Sequence, residues 1–211
     1  MLRVNEIFYS LQGESTQMGR PSIFIRLTGC KLRCTYCDTK YAYHEGEDME
    51  IAAILEKIRA YPCRLVELTG GEPLEQEEAI PLMERLLSDG YEVMLETDGV
   101  ENVSRVPAGV KIIFDVKTPG SGMRSPKTEK MLAGLAPGNE VKFVVTGEAD
   151  YEFAKDYIRE HRLTERYSVL LSPAVGERDM GWLPPLILKD GLKVRFQPQL
   201  HKILWGDQRG V

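Results

Sequence analysis

The sequence predicts an α/β chain folded as an incomplete (β/α)6 TIM-like barrel, with short extra strands at its two termini. Three observations predict it. Short apolar runs alternate with amphipathic helical stretches, which implies parallel βαβ units. Nearly every run ends in a polar cluster; loops after barrel strands build one shared face, whereas a doubly wound sheet would concentrate such residues at one switch point. The chain has 211 residues, short of the about 250 that a full eightfold barrel takes. Six core strands fit that length.

Residues 4–8 read as a leading strand, followed by the polar loop Leu11-Gln12-Gly13-Glu14-Ser15, where Gly13 permits close backbone approach. Over 22–28, Ile23, Ile25 and Leu27 alternate with Phe24 and Arg26, the period of a strand. Asp48 is the expected N-cap of a helix over 49–60, whose apolar stripe is Ile51, Ile54, Leu55 and Ile58. The strand at 64–68 ends in Thr69-Gly70-Gly71-Glu72-Pro73, and the helix after it, carrying Leu82, Met83, Leu86 and Leu87, closes at Gly90. Strands at 91–95 and 110–114 end in Glu96-Thr97-Asp98-Gly99 and Asp115-Val116-Lys117, the latter followed by a Gly, Ser and Pro-rich loop. The strand at 140–145 leads to a helix capped by Asp150; those at 167–171 and 192–196 end in Ser172-Pro173 and in Gln197-Pro198-Gln199-Leu200-His201-Lys202. No long linker or repeat divides the chain, so a single domain over 1–211 is expected.

Hydrophobic residues make up 43% and charged residues 28%, a globular balance. A net charge of -5 argues against nucleic acid as the main partner, since phosphate backbones call for a basic surface. No apolar window has the length of a membrane span and no apolar signal core opens the chain, so the cytoplasm is the expected compartment.

Cys30, Cys34 and Cys37 stand at the spacing Cys-x3-Cys-x2-Cys, and the neighbouring Lys31 and Arg33 are expected to favour thiolates. Three ligands hold a 4Fe-4S cluster with one iron left open, while a structural zinc wants four. A Cys3His zinc site completed by His44 or closed by Cys63 remains an alternative, as does a disulfide with a spare thiol. Cys63, beside an apolar strand, reads as a packed thiol. Two glycines at a strand end let backbone approach a ligand, and Glu72 can accept from an ammonium; a plain turn with Pro73 opening a helix is the simpler reading. Carboxylate and hydroxyl in Glu96-Thr97-Asp98 suit a ribose, and Lys117 suits a carboxylate or a simple rim ion pair. His201, beside Lys202 after the last strand, is a further site candidate.

The cysteine spacing resembles the signature of the radical S-adenosylmethionine (SAM) enzymes, whose open iron chelates the amino and carboxylate groups of SAM. Gly-Gly-Glu-Pro, one βαβ unit downstream, resembles their SAM-binding glycine motif. Together with Leu11-Gln12-Gly13-Glu14, Cys37-Asp38-Thr39, Gln199-Leu200-His201-Lys202 and the terminal Leu204-Trp205-Gly206 and Arg209-Gly210-Val211, the chain resembles the 7-carboxy-7-deazaguanine synthase family from residue 6 to its end. The resemblance implies a radical SAM barrel that contracts 6-carboxy-5,6,7,8-tetrahydropterin to 7-carboxy-7-deazaguanine with loss of ammonia, in the biosynthesis of queuosine and other 7-deazapurines. It implies that Cys30, Cys34 and Cys37 hold the cluster, and that Tyr36, Cys37, Asp38, Gly71, Glu72, Glu96, Asp115, Val116 and Lys117 surround the cofactors. Substrate contacts are implied for Leu11, Gln12, Gly13, Glu14, Arg26 and Thr69, and for Ser172, Pro173 and His201, with Glu14 and Lys117 as catalytic groups. A Mg²⁺ at Thr39, an electron donor such as flavodoxin and a homodimer complete what the resemblance implies. Two rivals stay open: a glycyl-radical activating enzyme, against which the pterin-sized set Gln12, Glu14 and Arg26 speaks, and a non-catalytic zinc module.

Overall fold

The computed structural model describes residues 1–174 and 180–211. The leading strand β1 (Leu2–Leu11) is longer than its apolar pattern announces. It pairs antiparallel with β2 (Pro21–Leu27), and on its other edge with β3 (Glu47–Met49), where Leu2 lies opposite Met49. Here the sequence expectation fails. Asp48 belongs to β3 and pairs with Arg3 at 3.4 Å, while α1 (Ile51–Arg59) starts after an extended Glu50 with no side-chain cap. A three-residue edge strand leaves no periodicity to detect, so its acidic residue imitates a cap.

Then follow β4 (Leu65–Gly70), α2 (Ala79–Ser88), β5 (Glu92–Thr97), β6 (Lys111–Asp115), α3 (Lys127–Ala133), β7 (Glu140–Val145), α4 (Glu148–Glu160), β8 (Ser168–Pro173), α5 (Leu183–Asp190), β9 (Arg195–Phe196) and α6 (Leu200–Trp205). The nine strands join one sheet in the order β3-β1-β2-β4-β5-β6-β7-β8-β9, parallel from β2 onward. The sheet does not close, so β2 and β4 to β8 form the six strands of an open barrel. The β5–β6 connection carries only a 3-10 turn, Val103–Arg105, opened by Asn102, whose Oδ1 accepts from Ser104 N at 3.0 Å. Conversely, α3 sits in the stretch that reads as a Gly, Ser and Pro-rich loop. Asp150 does not precede α4 but lies in its first turn. From there it reaches back to accept from Thr146 N at 2.9 Å and from Gly120 N at 2.8 Å.

Because strand side chains alternate, each parallel strand has an outer and an inner face. Ile25, Leu68, Leu95, Phe114 and Phe143 point outward to the helices and are 0% exposed. Inward, Leu65, Met94 and Ile113 form an apolar plug at the barrel bottom. A closed barrel continues such layers to the top. This one replaces them with Glu67, Thr69, Glu96, Asp115 and Lys142, which line a cavity opening at the carboxyl ends of the strands.

Candidate active site

Cys30, Cys34 and Cys37 are free, partly buried and line this cavity, on the loop that leaves β2. The disulfide alternative is therefore not formed. The loop is held from two sides. Gly71 N donates to Leu27 O at 3.0 Å and Glu72 N to Gly29 O at 2.7 Å, while Thr35 N donates to Ser121 O at 3.0 Å. A Cβ on Gly71 would collide with the Gly29 carbonyl, so the second glycine of the Gly-Gly pair is what lets β4 close on the cysteine loop. Leu32 N donates to Cys30 Sγ at 3.3 Å.

The expected effect of Lys31 and Arg33 on the thiols is absent. Lys31 is largely exposed and pairs with Glu101 at 3.3 Å, and Arg33 lies over the Tyr43 ring at 4.2 Å. Burial instead pushes the Cys30 thiol up to about 12, against the Leu32 N–H and reinforced by Asp98. Burial also raises Cys34, opposed by Lys117. Among the described residues no three His, Cys, Asp or Glu side chains converge on a single-ion position, and His44 does not line the cavity. Three free thiols on one loop lining the cavity suit a multi-iron cluster, which is held by thiolates on separate irons.

Beside the cysteines, Lys117 Nζ lies 2.8 Å from Asp115 Oδ2 and 6.0 Å from the Tyr36 ring centre. Burial opposes the Lys117 charge, yet Asp115 and its neighbours raise its pKa well above the ordinary lysine value. Tyr36 Oη and Asp115 Oδ1 are buried without a hydrogen-bond partner among the described residues. Two orphaned polar atoms in side chains that line the cavity fit a polar cofactor beside the cluster.

Across the cavity, Lys142 on β7 is the hub. Its Nζ lies 2.8 Å from Glu14 Oε2 and 3.8 Å from Asp115 Oδ2, and it also pairs with Glu96. Burial works against the Glu14 carboxylate, but the Lys142 ammonium holds it below the ordinary glutamate value. Gln199 Nε2 donates to the other Glu14 oxygen at 2.8 Å, and Leu200 N donates to Gly13 O at 2.9 Å, so the start of α6 is tied to the loop after β1. A Cβ on Gly13 would strike the His201 ring where it now lies, so the glycine lets that ring pack against the loop. Arg26 Nε meets Glu6 Oε1 at 2.7 Å, and the guanidinium lies between the Phe8 and Tyr41 rings, 5.9 and 5.8 Å from their centres.

The cavity brings together Leu11, Gln12, Gly13, Glu14, Arg26, Tyr36, Asp38, Thr39, Thr69, Gly71, Glu96, Asp115, Lys117 and His201 with the cysteines. Glu72, Val116, Ser172 and Pro173 do not line it. Glu72 Oε1 accepts from Leu74 N and Thr97 Oγ1, both at 2.9 Å, and Oε2 from Asp98 N at 2.6 Å, so its buried carboxylate ties β4 to β5. Val116 is buried in the apolar core, and Ser172 and Pro173 are buried at the end of β8. Gln12 keeps its place, but its side chain is an internal strut between Glu67 and Glu14 N. Missed were Glu67 and Lys142. Their signal was a charge at an inward position of an otherwise apolar parallel strand.

The radical SAM superfamily model matches residues 24–170. The chain is 43% identical to the 7-carboxy-7-deazaguanine synthase of Koribacter versatilis over 97% of this chain and 97% of that one. It is 42% identical to the protein of the same name from Chlorobaculum tepidum, over 100% of this chain and 97% of that one. The crystal structure of QueE from Escherichia coli shares the fold, with a TM-score of 0.76 at 24% identity over 95% of this chain and 94% of that one. With its cysteine loop, its open barrel and full-length similarity on this scale, the chain belongs to the 7-carboxy-7-deazaguanine synthase family of the radical SAM superfamily.

Proposed function

We propose that this chain, as one domain, converts 6-carboxy-5,6,7,8-tetrahydropterin to 7-carboxy-7-deazaguanine, breaking a carbon–nitrogen bond and releasing ammonia. One observation carries the reading: the loop after β1, the cysteine loop and the start of α6 meet on a single cavity whose floor is a buried charge network. When bound, the cluster and SAM supply hydrogen abstraction by a radical. The chain's own residues bind, orient and exclude water. Cys30, Cys34 and Cys37 would hold the cluster, and the cofactor side is Tyr36, Asp38, Gly71, Glu96, Asp115 and Lys117. Arg26, with Nε taken by Glu6, presents the rest of its guanidinium fork to the substrate carboxylate. Phe8 and Phe24, stacked with ring centres 4.9 Å apart, give the pterin an apolar wall. Glu14 and Lys142 form a buried ion pair beside it.

The Thr39 hydroxyl makes no cap to its own turn and lies 3.8 Å from Cys37 Sγ. A Mg²⁺ there would take the Thr39 hydroxyl as one ligand and draw the others from substrate oxygens and water. An electron donor such as flavodoxin, a homodimer and the cytoplasm belong to the same proposal; no helix among the described residues is long and apolar enough to cross a membrane. The test is anaerobic incubation of cluster-loaded protein with SAM, a reductant and the carboxypterin, with and without Mg²⁺. Formation of 7-carboxy-7-deazaguanine, faster with Mg²⁺ and less responsive in Thr39→Ala, is expected. SAM cleavage without that product would overturn the reading, and indifference to Mg²⁺ would remove the metal from it.

A further inference from the structure

Glu67 stands apart from the residues that the family motifs point to. It lies inside β4, 5% exposed, between Phe24 of β2 and Met94 of β5 in the sheet register, and it lines the cavity floor. Its Oε2 accepts from Gln12 Nε2, and Gln12 Oε1 accepts in turn from Glu14 N at 3.0 Å. A side-chain amide is thus spent entirely on linking a strand in the barrel floor to the backbone of the loop that faces the substrate.

The floor is short of cations. Glu14, Glu67, Glu96 and Asp115 share the cavity floor with the lysines Lys117 and Lys142. Lys142 is engaged with Glu14, Glu96 and Asp115, Lys117 with Asp115, and Arg26 with Glu6. The Lys142 charge reaches Glu67, but that ammonium is shared among Glu14, Glu96 and Asp115, so among these pairings Glu67 has no ion pair of its own, and a buried, unpaired carboxylate is costly. The groups that bear on it are Glu14 after β1, Arg26 with Glu6 on β2 and β1, Glu96 on β5, Lys142 on β7 and, next to Glu14, His201 of α6.

We propose that Glu67 is a positioning residue for the substrate wall: as a neutral carboxylic acid it braces Gln12 and, through it, the Glu14 backbone, and its ionisation weakens the hold on an anionic substrate. The inference rests on the carboxypterin reading above for its substrate, but not for the brace itself. Burial, then the nearby Glu96, push Glu67 up to about 8 against the Gln12 hydrogen bond, so the proton stays on at neutral pH and leaves as the pH rises past that value.

Two measurements on the cluster-loaded protein decide it. The first is the pH dependence of KM and kcat for the carboxypterin. In the parent chain KM should rise above pH 8, by about tenfold per unit for one obligatory ionisation, with kcat much less affected. Glu67→Gln keeps a neutral partner for Gln12 and should flatten that rise, with KM near the parent value at pH 7. Glu67→Leu removes the brace and should raise KM at every pH. The second needs no turnover: infrared difference spectra of the resting protein should show a protonated-carboxyl band at pH 7 that Glu67→Gln removes, and amide exchange over residues 12–20 should quicken in Glu67→Leu alone. An alkaline limb unchanged in Glu67→Gln, a missing carboxyl band in the parent chain, or unaltered exchange in Glu67→Leu each overturns the proposal. If no variant consumes the carboxypterin, the substrate reading fails while the band and the exchange still judge the brace.

Discussion

At the scale of the residue, the site is governed by which polar groups already have partners. Glu72 and Gln12 carry the look of ligand-binding residues, yet their side-chain atoms are used inside the chain. Tyr36 and Asp115 keep an atom each without a partner among the described residues. That distinction is invisible in sequence, because spacing says which residues share a wall but not which of them are saturated. Arg26 shows how the same accounting yields a prediction. Its Nε is fixed by Glu6 at 2.7 Å and its guanidinium lies near the Phe8 and Tyr41 rings, so the free end of the fork is pre-aimed. A lysine has one point charge to divide between Glu6 and the substrate carboxylate. Arg26→Lys should raise KM for the carboxypterin by about ten- to a hundredfold, the worth of one charge-assisted hydrogen bond of roughly 1.5–3 kcal/mol, with little change in kcat. Steady-state kinetics check this; an unchanged KM would remove Arg26 from the carboxylate.

At the scale of the element, the strand ends are the working parts. The carboxyl end of β4 is clamped to that of β2 by Gly71 N to Leu27 O at 3.0 Å and Glu72 N to Gly29 O at 2.7 Å, and the clamp leaves no room for a side chain at Gly71. Gly71→Ala should therefore push the cysteine loop away from β4. Overpacking of this kind costs about 1–3 kcal/mol, which urea unfolding would register, and SAM binding should weaken with it. Parent-like stability together with parent-like SAM affinity would mean that the clamp is not needed. The strands themselves were legible as short apolar runs, with period-2 alternation over 22–28, and from the polar cluster closing nearly every one. The exceptions are instructive. β3 is too short to carry a period, α3 hides in a stretch rich in residues that favour turns, and the connection over 98–110 holds a single 3-10 turn that Asn102 caps locally.

At the scale of the whole molecule, function follows from an unfinished barrel. Six parallel strands give a curved floor, and the missing closure leaves the inner face free to be polar above the plug of Leu65, Met94 and Ile113. Three distant segments then close the cavity: the loop after β1, the cysteine loop and the tail from Gln199 onward. The motifs in these segments made the cavity's rim readable from sequence. Its floor was harder to read: Glu67 and Lys142 each carry the signal of a charge in an otherwise apolar parallel strand, but that signal does not say what the charge meets. Lys142 finds Glu14 and Asp115 only through the register of β6 against β7 and the return of the chain's first loop over both. The convergence of these segments on one substrate is the central claim, and an anaerobic crystal structure of the cluster-loaded protein with SAM and the carboxypterin tests it most directly. Expected is the pterin carboxylate on Arg26, the ring against Phe8 and Phe24 above Glu67, and SAM beside Tyr36 and Lys117 with one end on the cluster held by Cys30, Cys34 and Cys37. A pterin bound elsewhere, or a cluster held by any cysteine other than these three, would contradict it.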